Sequence, residues 1–160
     1  MSFENYTIRR AEKKDAKAIH EVLLAAFEEY RFYYSPEGFS DTVLSEKTAK
    51  TRIKEMNVYV AVDQRGKIIA TIGWQKISKE EGHIRGMGII PMWQGKNGPA
   101  KLLLSQVEEE AIIKGCKMLT LDTTKVLERA QSFYIKNGFK ETGKTGNFFG
   151  SVIYEFAKTL

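Results

Sequence analysis

The chain has 160 residues, 42% of them hydrophobic, 28% charged and 11% aromatic, with 25 Lys plus Arg against 20 Asp plus Glu. A chain of this length withdraws roughly 70% of its unfolded surface from water, so its core needs no metal or disulfide. Cys116 is the sole cysteine, which excludes an internal disulfide and leaves no cysteine-based zinc site. No apolar run reaches the roughly 20 residues that span a bilayer, and the opening MSFENYTIRR lacks the apolar stretch of a secretory signal. One cytoplasmic domain over 1–160 is the expectation, since no repeat, low-complexity stretch or linker divides it. The formal charge of +5 leaves several anionic partners open: nucleic acid, a membrane surface or a phosphorylated small molecule.

Tyr6-Thr7-Ile8-Arg9 alternates apolar and polar side chains and reads as a first strand. Ala18, Ile19, Val22, Leu23, Ala26, Phe27 and Tyr30 recur at helical spacing, with Asp15 near the start where the helix dipole favours a carboxylate. From Arg31 to Asp41 the text is aromatic and irregular, and a helix follows from about Leu44 to Glu55. Val58 to Val62 and Ile68 to Gln75 are β-branched runs joined by Asp63-Gln64-Arg65-Gly66, a hairpin connection. A strand from about His83 to Ile90 ends at Pro91. A second long helix, marked by Ala100, Leu103, Leu104, Val107 and Ala111, has Pro99 in its first turn and Gly115 past its end. Met118 to Leu121 reads as a buried strand, Leu127 to Asn137 as a helix stopped by Gly138, and Phe139 to Glu141 and Asn147 to Ala157 as two last strands. Helices and strands mixed in this way imply an α/β (α+β) domain with a central sheet and helices on its faces.

The stretch Met87 to Leu104 reads strand, Pro, Gly-rich loop, helix. The first turn of a helix has N–H groups without intrahelical partners and a partial positive charge, and glycines let a loop approach an anion closely. Lys96 and Lys101 add charge at the same point. A plain strand-to-helix turn, with Gly95 and Gly98 serving only geometry, is the competing reading. Neither a P-loop nor a dinucleotide GxGxxG is present.

The segment resembles motif A of the GNAT superfamily of N-acetyltransferases, whose loop reads Gln/Arg-x-x-Gly-x-Gly/Ala after a strand. The later string Ala130 to Phe139 is similar to the family's Ala-x-x-Phe-Tyr-x-Lys-x-Gly-Phe signature. Two departures stand out. Aligned from Gln94, the glycine positions carry Asn97 and Pro99, and Pro99 has no N–H to donate; sliding by one residue places Gly98 and Ala100 on the pattern instead. The Asn that often precedes the second motif is Leu127.

The resemblance, which covers nearly the whole chain, implies a mostly antiparallel sheet that splays open at a cleft for acetyl-CoA or a related acyl-CoA. It implies pyrophosphate on the loop Gln94, Gly95, Lys96, Asn97, Gly98, Ala100, with Lys101 and Arg129 near the phosphates. Pantetheine would pair with the strand around Met87, Gly88 and Ile89, and the thioester would lie near Tyr134. A phenol suits protonation of a leaving thiolate, so Tyr134 is the candidate general acid, with packing of a buried helix face as its other reading. The backbone N–H of Ile89 is the candidate oxyanion donor.

The base is open. Alternation puts His83, Arg85, Met87 and Ile89 on one strand face with Glu81 at its start. In some relatives a glutamate stands at the position of Arg85. Glu81 or His83 can act through water, and Arg85 is read either as a clamp for an anionic group of the acceptor or as a solvated charge. Tyr30, Phe32, Tyr33, Tyr34 and Phe39 fall where the resemblance places an acceptor-side lid, so Tyr30, Tyr33 and Tyr34 are candidate acceptor contacts, with Glu29, Glu37 or Asp41 attracting the amine. Trp74 and Trp93 read as core or rim packing, Cys116 as a small apolar residue, and Glu108-Glu109-Glu110 as a solvated helix face.

The function expected is direct transfer of an acetyl group from acetyl-CoA to a primary amine, on a small molecule or a peptide, with no metal and no covalent enzyme intermediate. A CoA-binding regulatory or sensor module of the same fold is the alternative. Basic residues dispersed among acids argue against nucleic acid, and no membrane partner is expected. Dimers are common in this superfamily, so a homodimer is one state open to the chain.

Overall fold

A computed structural model describes residues 6–95 and 98–160. Seven strands form one sheet in the order β1-β2-β3-β4-β5-β7-β6. They are β1 (Tyr6–Arg10), β2 (Asn57–Asp63), β3 (Ile68–Lys76), β4 (Glu81–Ile89), β5 (Met118–Thr123), β6 (Lys140–Phe148) and β7 (Ser151–Thr159). Every pair is antiparallel except β4 with β5. The helices are α1 (Ala16–Phe27), α2 (Pro36–Thr42), α3 (Glu46–Glu55), α4 (Pro99–Ile113) and α5 (Glu128–Lys136).

The two sheet faces are covered by different helices. α1 buries Ala16, Ile19, Val22, Leu23 and Ala26 against β3, β4 and α3. α4 buries Leu103, Leu104, Val107 and Ala111 on the side where Trp74 and Tyr59 point. Each large apolar side chain withdrawn from water contributes about 1.5–3 kcal/mol, so these two stripes fix both helices on the sheet. Gly66, Gly115 and Gly138 turn the chain with φ of 83°, 88° and 94° where the sequence expects a hairpin and two helix ends.

Three expectations change. The irregular aromatic stretch after α1 folds: a 3-10 segment over Glu28–Tyr33 is followed by α2, which Ser35 caps by accepting the N–H of Gly38, with Pro36 in the first turn. The strand expected to end at Glu141 runs on to Phe148, so Asn147 belongs to β6 and the hairpin turn lies at Phe149 and Gly150. Of the acidic run of α4, Glu109 is exposed as expected, but Glu108 and Glu110 are not on a solvated face. Glu110 accepts hydrogen bonds from Tyr59 Oη, Trp74 Nε1 and Arg10 beneath the sheet, and Glu108 pairs with Lys158 at 2.8 Å. Hydrogen bonds from Tyr59 and Trp74 hold the Glu110 carboxyl below the usual range although burial opposes them.

β4 and β5 pair only over Glu81 to His83 and Met118 to Thr120. Beyond His83 and Thr120 the two strands part, and the gap between them is the mouth of a deep cleft.

Candidate active site

The cleft encloses about 890 Å³, at the upper end of the range for small-molecule sites. Its walls come from β4, β5, α1, the 3-10 segment, the N-terminus of α4 and α5. Strict alternation along β4 is broken by a bulge: Gly73 pairs with Arg85 but Thr71 with Gly88, and Gly86 has a φ of 75° that only glycine adopts without strain. His83, Arg85, Met87 and Ile89 therefore do not share one face. Gly88 is turned onto α1, where a Cβ would lie 2.9 Å from Leu23 Cδ2.

Downstream of the bulge the strand edge is open. Ile90 N–H donates to Ile69 O on β3, and successive strand residues turn their amides to opposite edges, so Met87 and Ile89 present theirs to the cleft. Gln94 ties the following loop back: its Nε2 donates to Ile89 O at 2.8 Å, and its Oε1 accepts from Arg129 of α5 at 2.7 Å. The loop and α5 are thus braced across the cleft mouth. Gly95 has a φ of 72°, and Gly98 precedes α4 so tightly packed that a Cβ would sit 2.5 Å from Tyr6 Oη. Leu102 N–H already bonds Gly98 O and Pro99 has none, which leaves Ala100 and Lys101 as the first-turn amides with no partner among the described residues. Lys96 and Asn97 lie outside the described residues.

Tyr134 is buried between Phe133 and Phe139, with ring centroids 5.5 Å and 5.6 Å away, and its hydroxyl meets Met87 Sδ at 3.3 Å. Core packing and a cleft position are thus both true of it. Burial pushes the phenol well above its ordinary range, so it keeps its proton at any physiological pH. A thioether is a weak acceptor, and the proton is easily redirected to a better one.

Where the strands begin to part, four side chains form a chain of contacts. Thr120 Oγ1 donates to Glu81 Oε2 at 2.7 Å and lies 2.7 Å from His83 Nδ1, while His83 Nε2 is 3.5 Å from Asp122 Oδ2. Glu81 itself does not reach the cleft wall, whereas His83 and Asp122 do. Nearby, Arg85 donates to Asp41 of α2 at 2.8 Å, so that carboxylate is engaged with a cation rather than open to an amine. Arg52 of α3 lies against the same bulge.

The aromatic segment divides. Tyr30 and Tyr34 line the cleft, and burial raises both phenols, with Glu29 adding to the effect at Tyr30. Tyr33 is exposed and lies off the cleft wall; Phe32 is more exposed still, and Phe39 is buried. Glu29 and Glu37 are exposed and off the wall. Cys116 is buried and lies outside the cleft. Sequence reasoning did not single out Arg52, Thr120 or Asp122, because a lone Arg in a charged helix and two polar residues in a short strand carry no pattern.

The cleft fits the group that the motifs imply: an open strand edge for an extended amide-bearing arm, the first-turn amides of α4 with Lys101 and Arg129 for phosphates, and a protonated hydroxyl between them. A family model described as "Acetyltransferase (GNAT) domain" matches residues 12–160. No curated protein sequence matches significantly. Among solved structures, the PaiA N-acetyltransferase of Thermoplasma acidophilum in complex with coenzyme A superposes with a TM-score of 0.83 at 22% identity, covering 100% of both chains. An acetyltransferase of Streptococcus agalactiae gives 0.80 at 14% identity over 99% of this chain and 100% of the other. A GNAT acetyltransferase of Elizabethkingia anophelis with acetyl-CoA bound gives 0.69 at 17% identity, over 99% of this chain and 100% of the other. The chain belongs to the GNAT acetyltransferase family, and it is an acyltransferase that takes acetyl-CoA as co-substrate.

Proposed function

We propose that the protein transfers the acetyl group directly to a primary amine within one ternary complex, with Tyr134 as the general acid. The observation that carries this reading is the buried, fully protonated Tyr134 hydroxyl resting on Met87 at the open edge of β4. Acetyl-CoA supplies an activated acyl thioester. The amides of Met87 and Ile89 hold its arm, the Ile89 N–H faces the acyl oxygen as negative charge develops there, and Tyr134 Oη gives its proton to the departing sulfur. Gln94, Gly95, Gly98, Ala100, Lys101 and Arg129 hold the phosphate end, while Gly88, between the two arm-binding amides, has no side chain and lets β4 lie close on α1.

The acceptor enters between His83, Arg85, Tyr30 and Tyr34. His83 is the base. Thr120 spends its one proton on Glu81, so it accepts from His83 Nδ1–H, and Nε2 is turned to the cleft beside Asp122 Oδ2, whose charge supports a proton taken up there. Four residues of strand separate His83 from Met87, roughly 13 Å, so the proton passes through water. Glu81 then acts only through Thr120. The acceptor is a small molecule or a peptide amine.

The test is thiol release from acetyl-CoA over a panel of amines, with mass detection of the product. Wild type is expected to turn over at least one amine, and Tyr134→Phe to lose about 100-fold in kcat with acetyl-CoA binding retained. Unchanged kcat in Tyr134→Phe refutes the acid role. Tight acetyl-CoA binding without release for any amine supports a sensor module instead.

A further inference from the structure

Arg52 is an unusual cation. Its stem lies on the apolar floor formed by Ile19, Leu23 and Ile53, and its guanidinium reaches the cleft wall, where a Cβ on Gly86 would sit 2.4 Å from Nη1. The left-handed glycine of the bulge thus makes the room that this head group occupies. A part-buried guanidinium has five N–H donors to satisfy, and structural arginines satisfy them with carbonyls or carboxylates. The Arg52 guanidinium makes no hydrogen bond or ion pair with any described residue. Burial, and then the charge of Arg85, lower its pKa to about 10, and Asp41 offsets only part of this.

Arg85 is the second cation, and Asp41 is the single carboxylate between the two. The other acidic group on this part of the wall, Asp122, faces His83. Two guanidiniums share one carboxylate, which leaves one positive charge and an unused donor fork facing the cleft. Guanidinium forks match carboxylates in two-point geometry. Arg85 precedes Met87 by two residues, roughly 7 Å of strand, so an anion held here is within reach of a small molecule whose amine sits at the reacting end.

We propose that Arg52 and Arg85 together bind the carboxylate of the acceptor, and that the acceptor is a free amino acid rather than a polyamine or a protein side chain. This rests on the transferase reading above and adds the substrate class. Arg52 is a specificity residue: it binds the group that distinguishes the substrate, not the group that reacts.

Three acceptor mixtures test it with acetyl-CoA: the standard L-amino acids, their carboxamides, and linear polyamines. The expected result is acetylated product from the first, at least tenfold less from the other two, and a tenfold or greater rise in acceptor KM in Arg52→Gln, partly restored in Arg52→Lys, with acetyl-CoA KM unchanged. Equal or better turnover of carboxamides or polyamines overturns the proposal, as does an unaltered acceptor KM in Arg52→Gln. If no mixture turns over, the thermal shift of the CoA-loaded protein decides. Stabilisation by the amino-acid mixture that is lost in Arg52→Gln keeps the carboxylate site while refuting transfer. No stabilisation refutes both.

Discussion

A hydroxyl has one proton to give, and at Thr120 that single fact decides what His83 can do. With the proton directed to Glu81, the imidazole donates from Nδ1, and its Nε2 is turned to the cleft beside Asp122 Oδ2. Thr120 is buried and close in shape to Val, so Thr120→Val removes the relay with little change of volume. The expected outcome is a fall of about tenfold in kcat/KM, with a reduced solvent deuterium isotope effect on kcat, both recovered in Thr120→Ser. Equal values in all three proteins refute a proton-relay role. Single residues such as these were legible in the sequence only where a motif named them. Tyr134 and Gln94 stand inside motif strings, whereas Thr120 is one polar residue in Met-Leu-Thr-Leu-Asp-Thr and Arg52 sits in a charged helix that reads as solvated. Their meaning arises from neighbours 39 and 33 positions away, Glu81 and Arg85, which no local pattern encodes.

At the level of elements, periodicity carried the most where one face is buried. α1, α4 and the β2–β3 hairpin have clean apolar stripes and were readable to within a few residues. β6 was not, because Lys-Glu-Thr-Gly-Lys-Thr-Gly-Asn-Phe is an exposed edge strand and has no buried face to alternate. The bulge of β4 was invisible for another reason: a glycine in a strand signals neither its φ nor its register. Two glycines now divide the cleft into separable ends. Gly98→Ala places a Cβ 2.5 Å from Tyr6 Oη where α4 begins, and Gly86→Ala places one 2.4 Å from Arg52 Nη1 while forcing a φ of 75°. The first is expected to raise the KM for acetyl-CoA about tenfold and spare the acceptor, since small misplacements of a binding element are costly. The second is expected to raise the acceptor KM, spare acetyl-CoA and lower stability by about 1–2 kcal/mol. Steady-state kinetics with each substrate varied in turn, beside urea unfolding, checks the pair. The same KM affected in both variants contradicts the division.

For the molecule as a whole, the charge of +5 says little by itself, because the charges that matter are the ones folding has moved. Asp15, buried before α1, is held below its usual range chiefly by Arg9, whose two nitrogens donate to it at 2.7 Å and 3.0 Å. Glu110 is likewise held down under the sheet, while burial lifts the phenols of Tyr134 and Tyr59. The signs follow from proton linkage. As pH falls, the unfolded chain takes up protons before the two folded carboxylates do, so the stability they confer is complete near neutrality and is lost below roughly pH 5. As pH rises, the unfolded chain releases phenolic protons that the folded one keeps, so stability is lost from roughly pH 10 upward. A plateau of stability bounded on both sides is therefore expected in urea midpoints measured across pH. Asp15→Asn is expected to lose about 1 kcal/mol at neutral pH, since it weakens a charged, bidentate pair in which Asp15 is buried but Arg9 is screened by solvent. It should also flatten part of the acid limb, leaving the share that belongs to Glu110, and leave the alkaline limb in place. An acid limb of unchanged depth in Asp15→Asn would show that the pair with Arg9 is not what holds the first turn of α1 to β1.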